Sequence, residues 1–190
     1  MVQAQVHRLR VPVSAADWRR GPIDAPVTLV EYGDLQCPCC QDSHPVIEQV
    51  LGARGAGVRV AVRHFPVRSL HEYAEGAAMA LEAAGRQGKF WEMYRAVMEA
   101  RGRVRPLDLE CLARRLDLDL DEFRRDMRSE ELREKIGEQK RGGLRSGVNG
   151  TPTLFVNGVR YDGAVCPVRG EELREAVAAA RREAARTEAG

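Results

Sequence analysis

Three cysteines fall within four positions in the stretch DLQCPCCQ, residues 34–41: Cys37, Cys39 and Cys40, with Pro38 between the first two. Thiolates so placed suit two kinds of chemistry. A C-x-x-C pair, Cys37 and Cys40, suits thiol–disulfide exchange, in which a thiolate attacks a disulfide sulfur. Three thiolates with His44 nearby suit a soft metal such as Cu(I) or zinc, although usual zinc sites draw a second ligand pair from elsewhere in the chain. Spacing alone permits both.

The elements around the cysteines add a physical reason for reactivity. Proline is favoured at the first position of a helix, so Pro38 reads as a helix start and Cys37 as its N-cap. The amides of residues 39 and 40 then lack intrahelical partners and are free to donate to the Cys37 sulfur. Together with the helix dipole they favour the thiolate. The dipole contributes up to about 2 kcal/mol, which is roughly 1.5 pKa units. A very acidic thiol needs more than that.

Before this helix, VTLVEY (27–32) is a β-branched run between Pro26 and Gly33, read as a mostly buried strand. The helix should reach about Leu51, with Pro45 as a kink. GVRVAVRHFP (57–66) reads as a second strand, with Val58, Val60 and Val62 alternating on one face. From about 70 to 146 the period becomes helical. Ala74, Ala77, Ala78 and Leu81 mark one helix, and Phe90, Met93, Tyr94, Val97 and Met98 a second. Leu109, Leu112, Ala113 and Leu116 mark a third; Leu120 to Ile136 mark a fourth that breaks near Ser129, and Gly142-Gly143 ends the block. TLFV (153–156), Asn157-Gly158 and VRY (159–161) form a β-hairpin signal, since Asn-Gly supplies two positive-φ residues. An amphipathic helix over 170–186 closes the chain. The fold class is therefore α/β, a sheet interrupted by an inserted all-helical block.

VTLVEYGDLQCPCC, Pro45, RHFP (63–66) and GVNGTPTLFVNGVRYDG (147–163) resemble the DsbA-like thioredoxin-fold thiol:disulfide oxidoreductases. The resemblance runs from about Gly21 to Val177. It implies a thioredoxin-like fold: an arm at 1–23, a first half at 24–69, a helical insertion at 70–146 and a second half at 147–190. It implies that Cys37 attacks and Cys40 resolves, with the Cys37–Cys40 disulfide as the redox centre and no other cofactor. Thr151 and Pro152 match the cis-proline loop that binds an extended substrate peptide. Glu31 matches a semi-buried acid, suited to taking the proton from Cys40. The implied partners are polypeptide thiols or disulfides and a thiol or disulfide redox partner. One position departs from the family: Cys39 stands where relatives carry histidine or tyrosine. A thiol is a weaker donor, so the Cys37 pKa is expected below the free value but nearer thioredoxin's, about 7, than DsbA's, about 3.5.

Three alternatives stay open beside this reading: a Cu(I) or zinc site, a peptide-binding module with little redox activity, and pairing of Cys39 with Cys37 as an auxiliary disulfide. Cys39 itself reads first as an exposed bystander. Cys111 and Cys166 read as structural thiols, and His44 as a helix-surface residue. His64 and His71 read as packing or hydrogen-bonding groups, Arg63 as a strand-end charge, and Phe90, Trp91 and Tyr94 as helical core.

The rest of the composition narrows the classes. The 190 residues suit one compact domain, and 30 basic against 28 acidic residues leave a formal charge of +2. Neither sign dominates, which argues against a nucleic-acid or anionic-membrane surface. The first 20 residues carry His7, Arg8 and Arg10 and form no continuous apolar run, so a cytoplasmic location is expected, with a reductase or isomerase bias; a periplasmic or extracellular one requires a leader.

Overall fold

The computed structural model describes residues 7–52, 57–163 and 166–188. Its centre is a five-stranded sheet. β1 (Trp18–Arg20) precedes β2 (Val27–Gly33), helix α1 (Pro38–Gly52) and β3 (Val58–His64). Five helices follow: α2 (Ala74–Arg86), α3 (Phe90–Glu99), α4 (Pro106–Arg115), α5 (Leu120–Asp126) and α6 (Glu130–Arg145). The chain then returns to the sheet as β4 (Thr153–Val156) and β5 (Val159–Tyr161), and ends in α7 (Gly170–Glu188). The sheet order is β1-β3-β2-β4-β5.

β2 lies at the middle, parallel to β3 (Val27 opposite Val58) and antiparallel to β4 (Leu29 opposite Val156). A strand covered on both faces needs apolar residues throughout rather than alternation, and VTLVEYG is buried at six of its seven positions. β3 is the same: Val58 and Val60 face one cluster with Ile47, Leu173 and Val177. Ala61 packs with Tyr32, Phe65 and Phe155 on the other side. The hairpin turns through Asn157 and Gly158 at φ 46° and 78°, the two positive values such a turn requires.

Two expectations are corrected, those at Gly142-Gly143 and at Arg63. The arm also joins the sheet: β1 pairs antiparallel with β3, Trp18 opposite Val62, and Arg8 bridges Val159. Residues 1–6 of that arm lie outside the described residues. A strand of three residues reading WRR has no periodicity to detect. Its anchor is Trp18, stacked on Phe90 with centroids 4.5 Å apart and lying so close to Gly85 that a Cβ there would meet its ring at 2.3 Å.

Gly142-Gly143 does not end the helical block but sits inside α6, which runs to Arg145. A Cβ on Gly143 would lie 2.9 Å from Tyr32 and 3.0 Å from Phe65, so glycine here lets the helix approach the sheet. The fourth helix breaks at Ser129, as its sequence suggested, into α5 and α6: Ser129 caps the new start by accepting from the Leu132 amide at 3.4 Å.

Arg63 is not a strand-end charge. It is 3% exposed and grips Asp17 through two bonds of 2.7 and 2.9 Å. It also donates to the carbonyls of Val11 and Pro12 and to the Tyr32 hydroxyl. Burying a guanidinium, which stays charged, is costly unless its donors are filled this way, and here they strap the arm across the sheet.

Candidate active site

The site forms where the C-terminal ends of β2 and β3, the first turn of α1 and the loop before β4 converge. Asp34 builds the turn into α1. One carboxylate oxygen accepts from the Gln36 amide at 2.9 Å, the other from the Val67 amide at 2.8 Å and, at 2.9 Å, faces His71 Nδ1. The Gln41 side chain donates to the Leu35 carbonyl at 3.1 Å and closes the turn from the other side. His71 thus acts as the hydrogen-bonding residue its position suggested, and His64 likewise lies 3.1 Å from Glu82.

Cys37 precedes Pro38 at the start of α1, and its carbonyl accepts from the Gln41 amide at 3.2 Å. Its sulfur lies 3.4 Å from the carbonyl oxygen of Thr151, to which the thiol donates. The Thr151-Pro152 peptide bond is cis. Residues 114 positions apart therefore meet across the site.

The Cys37 thiol is pulled down to about 5, chiefly by the Cys40 thiol donating to it. Burial opposes this; the Thr151 side chain and the amides of Cys40 and Cys39 assist. That is lower than the helix dipole and two amides alone would give, because the neighbouring Cys40 thiol is a further and stronger donor. Cys40 is fully buried at 0% exposure and accepts from the Asp34 amide at 3.4 Å. Burial first, then its bond to Cys37 and the Glu31 charge, push its thiol well up. The two sulfurs are thus poised oppositely, one as an ion and one as a proton carrier.

Glu31, on β2, is 1% exposed. Its Oε2 accepts from the Tyr94 hydroxyl at 3.1 Å, while Oε1 has no partner among the described residues. Burial raises its pKa to about 7, and the Tyr94 bond offsets only part of that. A carboxyl that exchanges its proton near neutrality beside a buried thiol is a chemically useful arrangement.

A sequence model of the thioredoxin family matches residues 14–179. The chain belongs to this family. Among solved structures, a thioredoxin-like oxidoreductase from Silicibacter pomeroyi DSS-3 is 29% identical, with a TM-score of 0.79 over 89% of this chain and 94% of that one. BdbD from Bacillus subtilis, 22% identical over 86% of this chain and 92% of its own, has a TM-score of 0.74 and shares the fold. So does alpha-DsbA1 from Wolbachia pipientis, at 20% identity over 94% of this chain and 97% of its own and a TM-score of 0.76. The fold is the DsbA-like form of thioredoxin, with the five-helix block between β3 and β4. Among curated relatives, a protein named Na(+)/H(+) antiporter NhaA 1 from Salinispora arenicola is 46% identical over 157 residues. Those residues are 82% of this chain but 24% of that protein, so the chain spans about a quarter of such relatives' length.

Within this thioredoxin site, three sequence expectations fail. Cys39 is not a bystander and Cys166 is not an unpaired structural thiol: they form a disulfide, with Cα atoms 5.3 Å apart across 127 residues of sequence. Cys37, Cys40 and Cys111 are free, and Cys111 is exposed. No local spacing announces the Cys39–Cys166 pair, because only the return of the chain before α7 brings Cys166 over the first turn of α1. His44 is not on the surface either. It is half-buried, packs edge-on to Tyr94 at 5.2 Å, and burial lowers its pKa. Tyr94, read as helical core, also turns its hydroxyl to Glu31. The aromatic stripe of α3 hid that polar contact.

Proposed function

We propose that this chain is a thiol:disulfide oxidoreductase acting on polypeptide substrates, with the Cys37–Cys40 disulfide as its redox centre and no other cofactor. The observation that carries the proposal is the meeting of the Cys37 sulfur, at a helix start, with the cis Thr151-Pro152 loop. The Cys37 thiolate attacks a substrate disulfide, forming a mixed disulfide and releasing one substrate thiol. Cys40 gives its proton to Glu31 and attacks Cys37, releasing the second substrate thiol and leaving Cys37–Cys40 oxidised. Run backwards, the same steps donate a disulfide. Thr151 and Pro152 line the place where an extended peptide lies, with backbone groups at Thr151 to pair with it.

The low Cys37 pKa favours the donating direction. At pH 7 a thiol of pKa about 5 is stabilised as thiolate by about two decades over one of pKa 9, or about 2.7 kcal/mol. Stabilising the reduced form by that amount raises the potential by roughly 60 mV. A solvent-facing disulfide at Cys166 also persists better in oxidising surroundings, which favours a location outside the reducing cytosol over the cytoplasmic one. The metal alternative is weakened because Cys39 is engaged with Cys166. Among the described residues no group of three or more His, Cys, Asp or Glu is placed to hold a metal ion. Ion exchange of the kind named for the antiporter relatives is not proposed for this segment. Among the described residues no helix is long and apolar enough to cross a membrane.

Reduction of a model protein disulfide such as insulin tests the reading. Cys37→Ser should abolish turnover while Cys111→Ser leaves it unchanged. Full activity in Cys37→Ser would end the proposal.

A further inference from the structure

We propose that the Cys39–Cys166 disulfide is a second redox centre that exchanges with the Cys37/Cys40 pair, so that each chain carries two transferable disulfides. The inference rests on the oxidoreductase reading above and extends it to two cysteines outside the C-x-x-C pair.

Three features support it. Cys39 sits between the two exchanging cysteines on the first turn of α1, and its own amide donates to the Cys37 sulfur. Cys166 is exposed and Cys39 half-buried, so their bond is open to attack rather than sealed in the core. Cys166 is also held in place without the bond. Two residues on, Val168 is 2% exposed, and its amide donates to Ser43 Oγ of α1 at 3.0 Å. A reduced Cys166 therefore stays beside the helix start, and exchange in both directions is intramolecular, where proximity replaces substrate binding.

The chemistry balances internally. The Cys37 thiolate attacks Sγ of Cys166, forming Cys37–Cys166 and breaking Cys39–Cys166. The electron pair leaves on Cys39, the better leaving thiolate because it lies in the first turn of a helix. Cys40 then loses its proton to Glu31 and attacks Sγ of Cys37, forming Cys37–Cys40 and expelling Cys166, which takes up a proton. One disulfide and one dithiol enter, and one disulfide and one dithiol leave. The segment at Cys166 behaves as a built-in substrate that recharges the catalytic pair after it has oxidised a polypeptide.

The test counts equivalents. Fully oxidised protein is mixed, without air, with excess reduced peptide dithiol, and the resulting protein thiols are alkylated and mapped. Wild type should deliver two disulfides, opening both Cys37–Cys40 and Cys39–Cys166; the double variant Cys39→Ser/Cys166→Ser should deliver one. In Cys37→Ser the Cys39–Cys166 bond should survive the same treatment. Loss of that bond in Cys37→Ser at the wild-type rate, or a wild type that delivers one equivalent with Cys39–Cys166 intact, overturns the proposal. A Cys39→Ser/Cys166→Ser protein that is folded yet delivers none overturns the oxidoreductase reading and this inference with it. A second arm does not depend on that double variant folding. Cys40→Ser, reduced at Cys37 only, should accumulate a Cys37–Cys166 crosslink with Cys39 free. Persistence of Cys39–Cys166 as its sole internal crosslink overturns the exchange.

Discussion

Replacing Glu31 by glutamine separates proton transfer from structure. The carboxyl is 1% exposed and its pKa stands at about 7 against an ordinary 4.5, because burial disfavours its charge. That shift of about 2.5 units corresponds to roughly 3 kcal/mol. Its sign is opposite to that of a salt-bridged carboxylate. Between 4.5 and 7 the unfolded chain has lost this proton and the folded chain still holds it, so Glu31 costs stability as pH rises through that window. Glu31→Gln keeps an acceptor for Tyr94 and carries no charge. It should match wild type below pH 4.5 and exceed it by on the order of 3 kcal/mol above pH 7. Activity should move the other way. In wild type, resolution of a Cys37 mixed disulfide should speed up through about pH 7, as Glu31 becomes able to accept the Cys40 proton. In the variant it should fall by about 10²–10⁴-fold and lose that inflection, the usual worth of a positioned base. Stopped-flow release of a chromophoric thiol from Cys37 reads the rate; urea unfolding against pH reads the stability. A variant that is stabilised yet resolves at the wild-type rate, with the same inflection, would refute the proton-transfer role while leaving the burial argument intact.

Three further outcomes are expected. Thiolate absorbance of Cys37 should titrate near pH 5, and Cys40→Ala should move the midpoint upward by removing its strongest stabilising donor; an unmoved midpoint would assign the effect to the helix start alone. Glu82 is buried, which raises its pKa, but His64 and Lys135 overcome this and hold it down to about 2. The stability it contributes, on the order of 3 kcal/mol, should be complete above pH 4.5 and vanish toward pH 2. Urea titrations of Glu82→Gln should lack that acid-labile part, and a wild-type pH slope in the variant would contradict the assignment. Arg63→Met leaves Asp17 buried without its partner, 6% exposed at its side chain, and should cost roughly 3–5 kcal/mol; a loss under about 1 kcal/mol in urea would show the strap to be a surface-like pair.

Legibility in the sequence followed how local each signal was. The redox pair, its helix start and the Asn157-Gly158 hairpin rest on neighbours within a turn, and β2 declared its burial by an unbroken apolar run. β1 was hidden because three residues of an edge strand carry no period, and its hold comes from Trp18 docking on Gly85 and Phe90, far along the chain. Arg63 and Glu82 were unreadable for the same reason: what keeps a buried charge is the arrival of Asp17 or of His64 and Lys135 from other elements. Gly142-Gly143 misled because glycine marks both a helix stop and a close approach, and only the rings of Tyr32 and Phe65 decide between them. Cys39 needed the final strand-to-helix return to find Cys166.

The most direct measurement is equilibration of the wild-type protein in glutathione buffers of graded potential, with each cysteine pairing mapped after acid quenching. A Cys37–Cys40 crosslink should appear and disappear reversibly as a two-electron step. Residues 37 and 40 remaining separately alkylated at every potential would contradict the account.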